Sequence, residues 1–155
     1  MSWVLLAGAV GPTAYVFAAH PNTETARLSN ALAGHGVAIA VALTTLLSFG
    51  LWHRPLTVTQ HPDLRHVAAA AVSVGVTVFV LDVIGRHHAP AAATAVLVGS
   101  ALIPPGGPVA DLAVALAVVS IIGAALARAV VPRLPSAPEV ADRCSDCDRG
   151  KRAVS

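Results

Sequence analysis

The sequence predicts an all-α, polytopic transmembrane bundle of four spans, within a range of three to five, with a short re-entrant or broken helix and a disordered C-terminal tail. Three observations carry this expectation. The 155 residues are 55% hydrophobic and only 12% charged, about half the charged share of an ordinary soluble domain. The charges are also unevenly placed, with eight in residues 1–127 and ten in residues 128–155. Finally, the stretches 31–52, 67–85 and 109–131 each have the roughly 17–25 apolar residues needed to cross a bilayer at helical rise. The chain therefore divides into a transmembrane domain, residues 1–131, and a cytoplasmic tail, residues 132–155, rich in Pro and charge.

The first apolar segment, 3–19, is at the short limit and carries Gly8, Gly11 and Pro12, so it reads either as a thin span or as a half-helix. It has no Lys or Arg ahead of it and leads directly into further apolar segments, which argues against a cleaved signal peptide. Segments 31–52 and 67–85 are full spans. Segment 91–103 is too short to cross at helical rise. Pro90 precedes it and Pro104-Pro105-Gly106-Gly107-Pro108 follows, so it reads as a re-entrant or broken helix. Segment 109–131 is the last span, with Asp111 and Arg128 only at its ends.

Polar joints at 20–30, 53–66 and 86–89 suit loops at the membrane surface. If 91–103 returns to its own side, the tail joins Arg54 and Arg65, leaving Arg27 and Arg86 opposite. If it crosses, the tail joins Arg27 and Arg86 instead. Either way eight basic residues face two, so the positive-inside rule puts the tail in the cytoplasm of a cell-membrane protein without choosing the topology; segment length favours the re-entrant version. The apolar body sums to zero charge and the tail to +2, which leaves no basic face for a nucleic acid. Neither a phosphate-binding Gly-rich loop nor a nucleophile elbow nor a pair of catalytic carboxylates is present, so an enzyme is not expected. The seven histidines lack zinc-site spacing, and Cys144-Ser145-Asp146-Cys147 is a lone pair; neither a metal nor another cofactor is expected.

The chain contains a short echo of itself. Thr13-Ala14-Tyr15-Val16-Phe17 and Thr94-Ala95-Val96-Leu97-Val98 share Thr-Ala and an apolar run at an offset of 81, each soon after a proline, Pro12 or Pro90. Proline-interrupted segments in corresponding halves point to a transporter binding site. Proline suits a first helical position, where free N–H groups favour an anion. Pro12, Thr13, Pro90 and Thr94, with His35 and His88, are thus the candidate substrate-binding residues for a small anion.

His35 lies on a stripe with Ala31, Ala38, Ala42 and Thr45, the small-residue face that packs on other helices. It can donate to an anion, couple protons, or simply join two helices. Asp82 falls in register with Ala71, Gly75 and Val78 and is a second candidate for proton coupling; an ion pair with Arg86 at i+4 is its simpler explanation. Asp111 is expected in the first turn of its helix, complementing the dipole, off the packing stripe Ala113, Ala117, Ser120 and Ala124.

Three patches, in order, resemble the HPP family of integral membrane proteins: Gly11-Pro12-Thr13-Ala14-Tyr15-Val16-Phe17, Asn30-Ala31-Leu32-Ala33-Gly34-His35, and His88-Ala89-Pro90-Ala91-Ala92-Ala93-Thr94-Ala95. The middle proline of the His-Pro-Pro signature is Ala89 here, and the usual Gly-Gly-His is Ala33-Gly34-His35. The resemblance implies about four spans, with nitrite transport attributed to some plant and cyanobacterial relatives. The expected partners are the bilayer, a small anion and a second copy of the chain. The competing expectation is a non-transporting membrane scaffold or partner subunit.

Overall fold

The computed structural model describes residues 3–55 and 61–130. The tail and its Cys144 and Cys147 lie outside the described residues. Among the described residues there are five α-helices and no strand: α1 (Trp3–Ala19), α2 (Leu28–Ser48), α3 (Leu64–Val83), α4 (Ala91–Gly99) and α5 (Gly107–Val130). Three are long and apolar enough to cross a membrane, at Leu28–Ser48, Leu64–Val83 and Gly107–Ala129. The outward faces carry Tyr15, Phe79, Val83, Ile121, Ile122 and Leu126, which is what a helix bathed in lipid presents. The inward faces are small: Ala31, Ala38, Ala42, Ala69, Ala91 and Ala95 are all buried. Lipid gives no hydrophobic drive between helices, so close backbone approach supplies the packing.

Helix ends follow from local sequence. Gly50 and Gly85 adopt φ of +68° and +64°, and each closes a helix in the same way. Leu51 N–H donates to Leu46 O and Arg86 N–H to Leu81 O, both at 2.9 Å, while the glycine N–H bonds three residues back. This left-handed cap satisfies carbonyls that the helix leaves open. It also corrects the expected Asp82–Arg86 pair. The cap swings Arg86 off the helical path, and its Nη1 donates instead to Ser29 O at 3.3 Å. The face of α3 that packs is His66, Ala69, Ser73, Thr77 and Leu81. Ala71, Gly75 and Val78 are exposed, and the Asp82 side chain is 75% exposed, its carboxylate 3.9 Å from His87 Nδ1.

At the start of α3, Asp63 is the N-cap and accepts from His66 N–H at 3.0 Å. It also pairs with His66 Nδ1, while His66 Nε2 bonds Arg54 O at 3.2 Å. These bonds hold the Asp63 carboxyl below its ordinary range, the backbone N–H of His66 first and its ring second. A depressed carboxylate pKa stabilises the fold above the ordinary value near 3.8, and that contribution disappears as pH falls through the lower folded value. Asp63→Asn keeps an N-cap oxygen but cannot titrate. Relative to the intrinsic rate, which itself falls on acidification, hydrogen exchange in the first turn of α3 should therefore lose protection as pH drops below about 4 in the parent protein and much less in D63N.

At two segments the structure chooses between alternatives that the sequence leaves open. α1 runs unbroken through Pro12, so Pro12 and Thr13 lie mid-helix and not at a half-helix N-terminus. The proline removes one backbone bond, which membrane helices tolerate when packed on neighbours. α4 is indeed short, at nine residues, but the chain does not turn back on itself. His88 and Ala91 lie against Gly34, near the start of α2. Ala101 and Ile103 share a core cluster with Leu46 and Leu51, at the end of α2. α5 then returns, placing Ala124 in a cluster with Phe17, Ala26 and Ala31. Counting every residue at helical rise made the segment look too short. The non-helical stretch 100–106 covers the remaining depth; its first part, Ser100, Ala101 and Ile103, is buried in protein, the condition under which irregular backbone survives at membrane depth, and it ends at the exposed Gly106. Consequently the chain leaves α5 at the end that holds Arg27 and Arg86, opposite Arg54 and Arg65.

α5 also begins two residues before the expected boundary, so Asp111 is not in its first turn and sits exposed in the second. Ser120 and Ala124 are buried as its stripe predicts, joined by Leu112 and Leu116. At Gly123 an added Cβ would lie 2.8 Å from Cγ and 2.9 Å from Cβ of Phe17, a ring that is itself buried. Gly123→Ala should destabilise the α1–α5 contact by about 1–3 kcal/mol, read as a lower unfolding temperature in detergent micelles. Phe17→Leu in the same chain should recover part of the loss.

Candidate functional site

His35 stands where α1, α2 and α4 converge. The stripe Ala31, His35, Ala38, Ala42 and Thr45 is buried along its length, so the imidazole points into protein as expected. His35 is 4% exposed and His88 3%. Thr13 and Thr94 are fully buried and bracket the ring: Thr13 Oγ1 is 3.0 Å from Nε2 and Thr94 Oγ1 is 3.0 Å from Nδ1. The two threonines are the echoed positions of the sequence. The echo places one hydroxyl at each ring nitrogen, from helices that run into the site from opposite ends of the bundle.

His88 completes the cluster. Its Nδ1 donates to Thr25 O at 2.8 Å, and its Nε2 is 3.2 Å from His35 Nε2. The rings meet edge to face, with centroids 4.9 Å apart and planes at 78°. A carbonyl can only accept, so the neutral His88 carries its proton on Nδ1 and offers a lone pair at Nε2. His35 Nε2–H then donates to His88, sharing with Thr13 Oγ1, and Nδ1 of His35 accepts from the Thr94 hydroxyl. Thr13 has Ala9 O at 3.5 Å as the acceptor for its own proton. One further proton fits at His35 Nδ1 if the Thr94 hydroxyl turns from donor to acceptor. The pair thus has a neutral and a cationic arrangement on the same heavy-atom framework.

Local sequence explains the meeting of the two rings. Gly34 precedes His35, and a Cβ there would lie 2.9 Å from His88 Cβ and 3.2 Å from its Cδ2. Only a residue without a side chain admits the 86–90 segment this closely. The joint before α2 is fixed as well: Asn30 Nδ2 donates to Glu24 O at 3.0 Å, and Thr23 Oγ1 to His20 O at 2.7 Å. These bonds set the position of the Thr25 carbonyl that orients His88. The sequence motif Asn30 to His35 therefore codes for both walls of the site. The role of Thr25 carries no sequence signal, because its contribution is a backbone carbonyl.

Of the six candidate binding residues, Thr13, His35, His88 and Thr94 form one hydrogen-bonded network. Pro12 precedes Thr13 in mid-helix, and Pro90 is the N-cap residue of α4. The helix-terminus anion site is corrected on two counts. Pro12 lies at no helix end. At α4 the N–H groups of Ala91, Ala92 and Ala93 already donate to His88, Ala89 and Pro90 carbonyls, at 3.0–3.1 Å, so that turn closes on itself. Asp82, on the exposed face of α3, has no part in the network. Among the described residues, Ser73 and Thr77 on α3 and Ser120 on α5 are buried hydroxyls without a partner. Among the described residues no three His, Cys, Asp or Glu side chains gather as a metal site.

No curated protein and no solved structure matches the chain. A model of the HPP transmembrane region matches residues 1–135, a span that contains all five helices and every member of the histidine and threonine network. On that match, and with the three motif patches converging on one site, the chain belongs to the HPP family of transmembrane proteins.

Proposed function

We propose that this multi-pass membrane protein moves a small anion across the bilayer together with a proton, with nitrite, the substrate suggested by the family resemblance, as the first anion to test. The observation that carries this reading is the buried His35–His88 pair, held by Thr13, Thr94 and the Thr25 carbonyl. Intramembrane ionisable groups are costly, and the recorded partners of His35 and His88 are hydroxyls, a carbonyl and each other, with no carboxylate. A proton taken up by the pair makes it a cation inside a low-dielectric bundle, where an anion neutralises it. Release of both restores the neutral arrangement. The anion is held by imidazolium and hydroxyls, which suits a bundle with no Lys or Arg in this layer. Eight of the ten basic residues are Arg27, Arg86 and those from Arg128 onward, which by the positive-inside rule orients that end toward the cytoplasm.

The test is flux into proteoliposomes containing the purified full-length protein. Nitrite uptake should exceed that of empty vesicles and should rise with an inward proton gradient. Uptake equal to empty vesicles for nitrite, nitrate and formate would leave the scaffold reading in its place. Thr94→Val removes the hydroxyl at His35 Nδ1 while preserving its shape, and should slow proton-coupled uptake several-fold and cost about 1–2 kcal/mol of stability, because that buried nitrogen loses its partner. Thr94→Ser should retain it.

A further inference from the structure

The structure assigns a second site, independent of the transport reading: we propose that the cleft between the α1–α2 joint and the end of α5 binds the headgroup of an anionic phospholipid. The cleft has a volume of about 810 Å³ and is lined by Arg27 and Arg128 together with Leu28, Leu32, Ala124 and Ala127. Its chemistry is divided in the way a lipid is. Its two arginines are exposed, and its apolar lining runs from the buried Ala124 to Leu32, which is 42% exposed.

Three further features favour a phosphate in this cleft. α2 begins with Arg27 at its N-cap and no side-chain cap bond; Asn30 and Ala31 N–H go to Arg27 O, which leaves the N–H groups of the cleft residues Leu28 and Ser29 at the open positive end of a 21-residue helix. Arg86 anchors to the carbonyl of Ser29, a cleft residue, which brings a third positive charge to the rim. Finally, among the described residues the acidic partner of Arg27 is weakly engaged: Glu24 lies 3.9 Å away, and both side chains are about two-thirds exposed. A guanidinium pair in this setting is free to take a phosphate oxygen from each side. Basic pockets between helices at a membrane surface have this form when they hold acidic headgroups.

The experiment is thermal unfolding of the full-length protein in neutral detergent with phosphatidylglycerol titrated in, beside phosphatidylcholine and inorganic phosphate. Phosphatidylglycerol should raise the midpoint to a plateau. Arg27→Gln and Arg128→Gln should each move the half-saturating lipid concentration upward by roughly fivefold, and the double variant by roughly 25-fold. Arg54→Gln, at the opposite end, should respond as the parent does. Because Arg27 and Arg128 are surface residues, the variants fold and the comparison stays readable. Equal plateaus with phosphatidylcholine, or a double variant that responds like the parent, would overturn the proposal. A full shift from millimolar inorganic phosphate alone would also overturn it, by assigning the cleft to a free anion. Transport failing in proteoliposomes would leave this result untouched.

Discussion

His35→Ala is expected to lower proton-coupled anion uptake roughly tenfold or more and to destabilise the bundle by about 2–3 kcal/mol. Both effects have the same origin. The imidazole bonds Thr13, Thr94 and His88, and all three are buried. Its removal leaves Thr94 Oγ1 and His88 Nε2 unpaired, leaves Thr13 Oγ1 with only its long contact to Ala9 O, and opens a void where the ring stood. Unfolding in detergent measures the stability and proteoliposome flux the transport. His35→Gln separates them. Glutamine supplies a donor and an acceptor at similar reach but cannot take up a proton. It should recover much of the stability and little of the flux, and the flux that remains should lose its dependence on the proton gradient. Uptake at the parent level in H35Q would remove the imidazole from the mechanism while leaving its packing role intact.

The same residue illustrates what the sequence can and cannot reveal. Its inward direction was legible because the i, i+3, i+4 stripe from Ala31 to Thr45 consists of small and hydroxyl residues, and such a face packs. The four-member network was legible in outline, since a repeated Thr-Ala after a proline implies two similar positions. What chain order alone did not disclose was direction. The segment 91–103 has one length whether it returns or crosses, and the count of basic residues is the same for both. The choice is made by Gly34 against His88 at one end and Ile103 beside Leu46 at the other, which are contacts between residues far apart in the chain. Asp82 failed for a related reason. Helical spacing put it in register with Ala71 and Gly75, but small residues in α3 lie on two faces. The buried one is marked by Ala69, Ser73 and Thr77, whose hydroxyls made that face look the more polar of the two.

Gly34→Ala should be the most damaging single methyl in the protein's site. The added Cβ would stand 2.9 Å from His88 Cβ and 3.3 Å from Ala91 Cβ. Neither atom is the far end of a flexible chain, so no rotamer change relieves the overlap. The 86–91 segment must move off α2 as a unit. The cost is about 1–3 kcal/mol of overpacking, and the displacement falls on the longest side chain to side chain link in the network, the 3.2 Å contact between His88 and His35. A shift of even half an ångström lengthens that bond toward the range where it weakens steeply and draws His88 Nδ1 away from Thr25 O. Uptake in G34A should therefore fall about as far as in the His35 variants, although all four polar side chains remain in the chain. Gly36 provides the control. It lies two residues further along the same helix, with nothing within 4 Å of an added Cβ, and alanine in a helix interior is if anything favourable there. Gly36→Ala should keep parent stability and flux. If G34A and G36A behaved alike, close approach of the histidine segment to α2 could not be what assembles the pair.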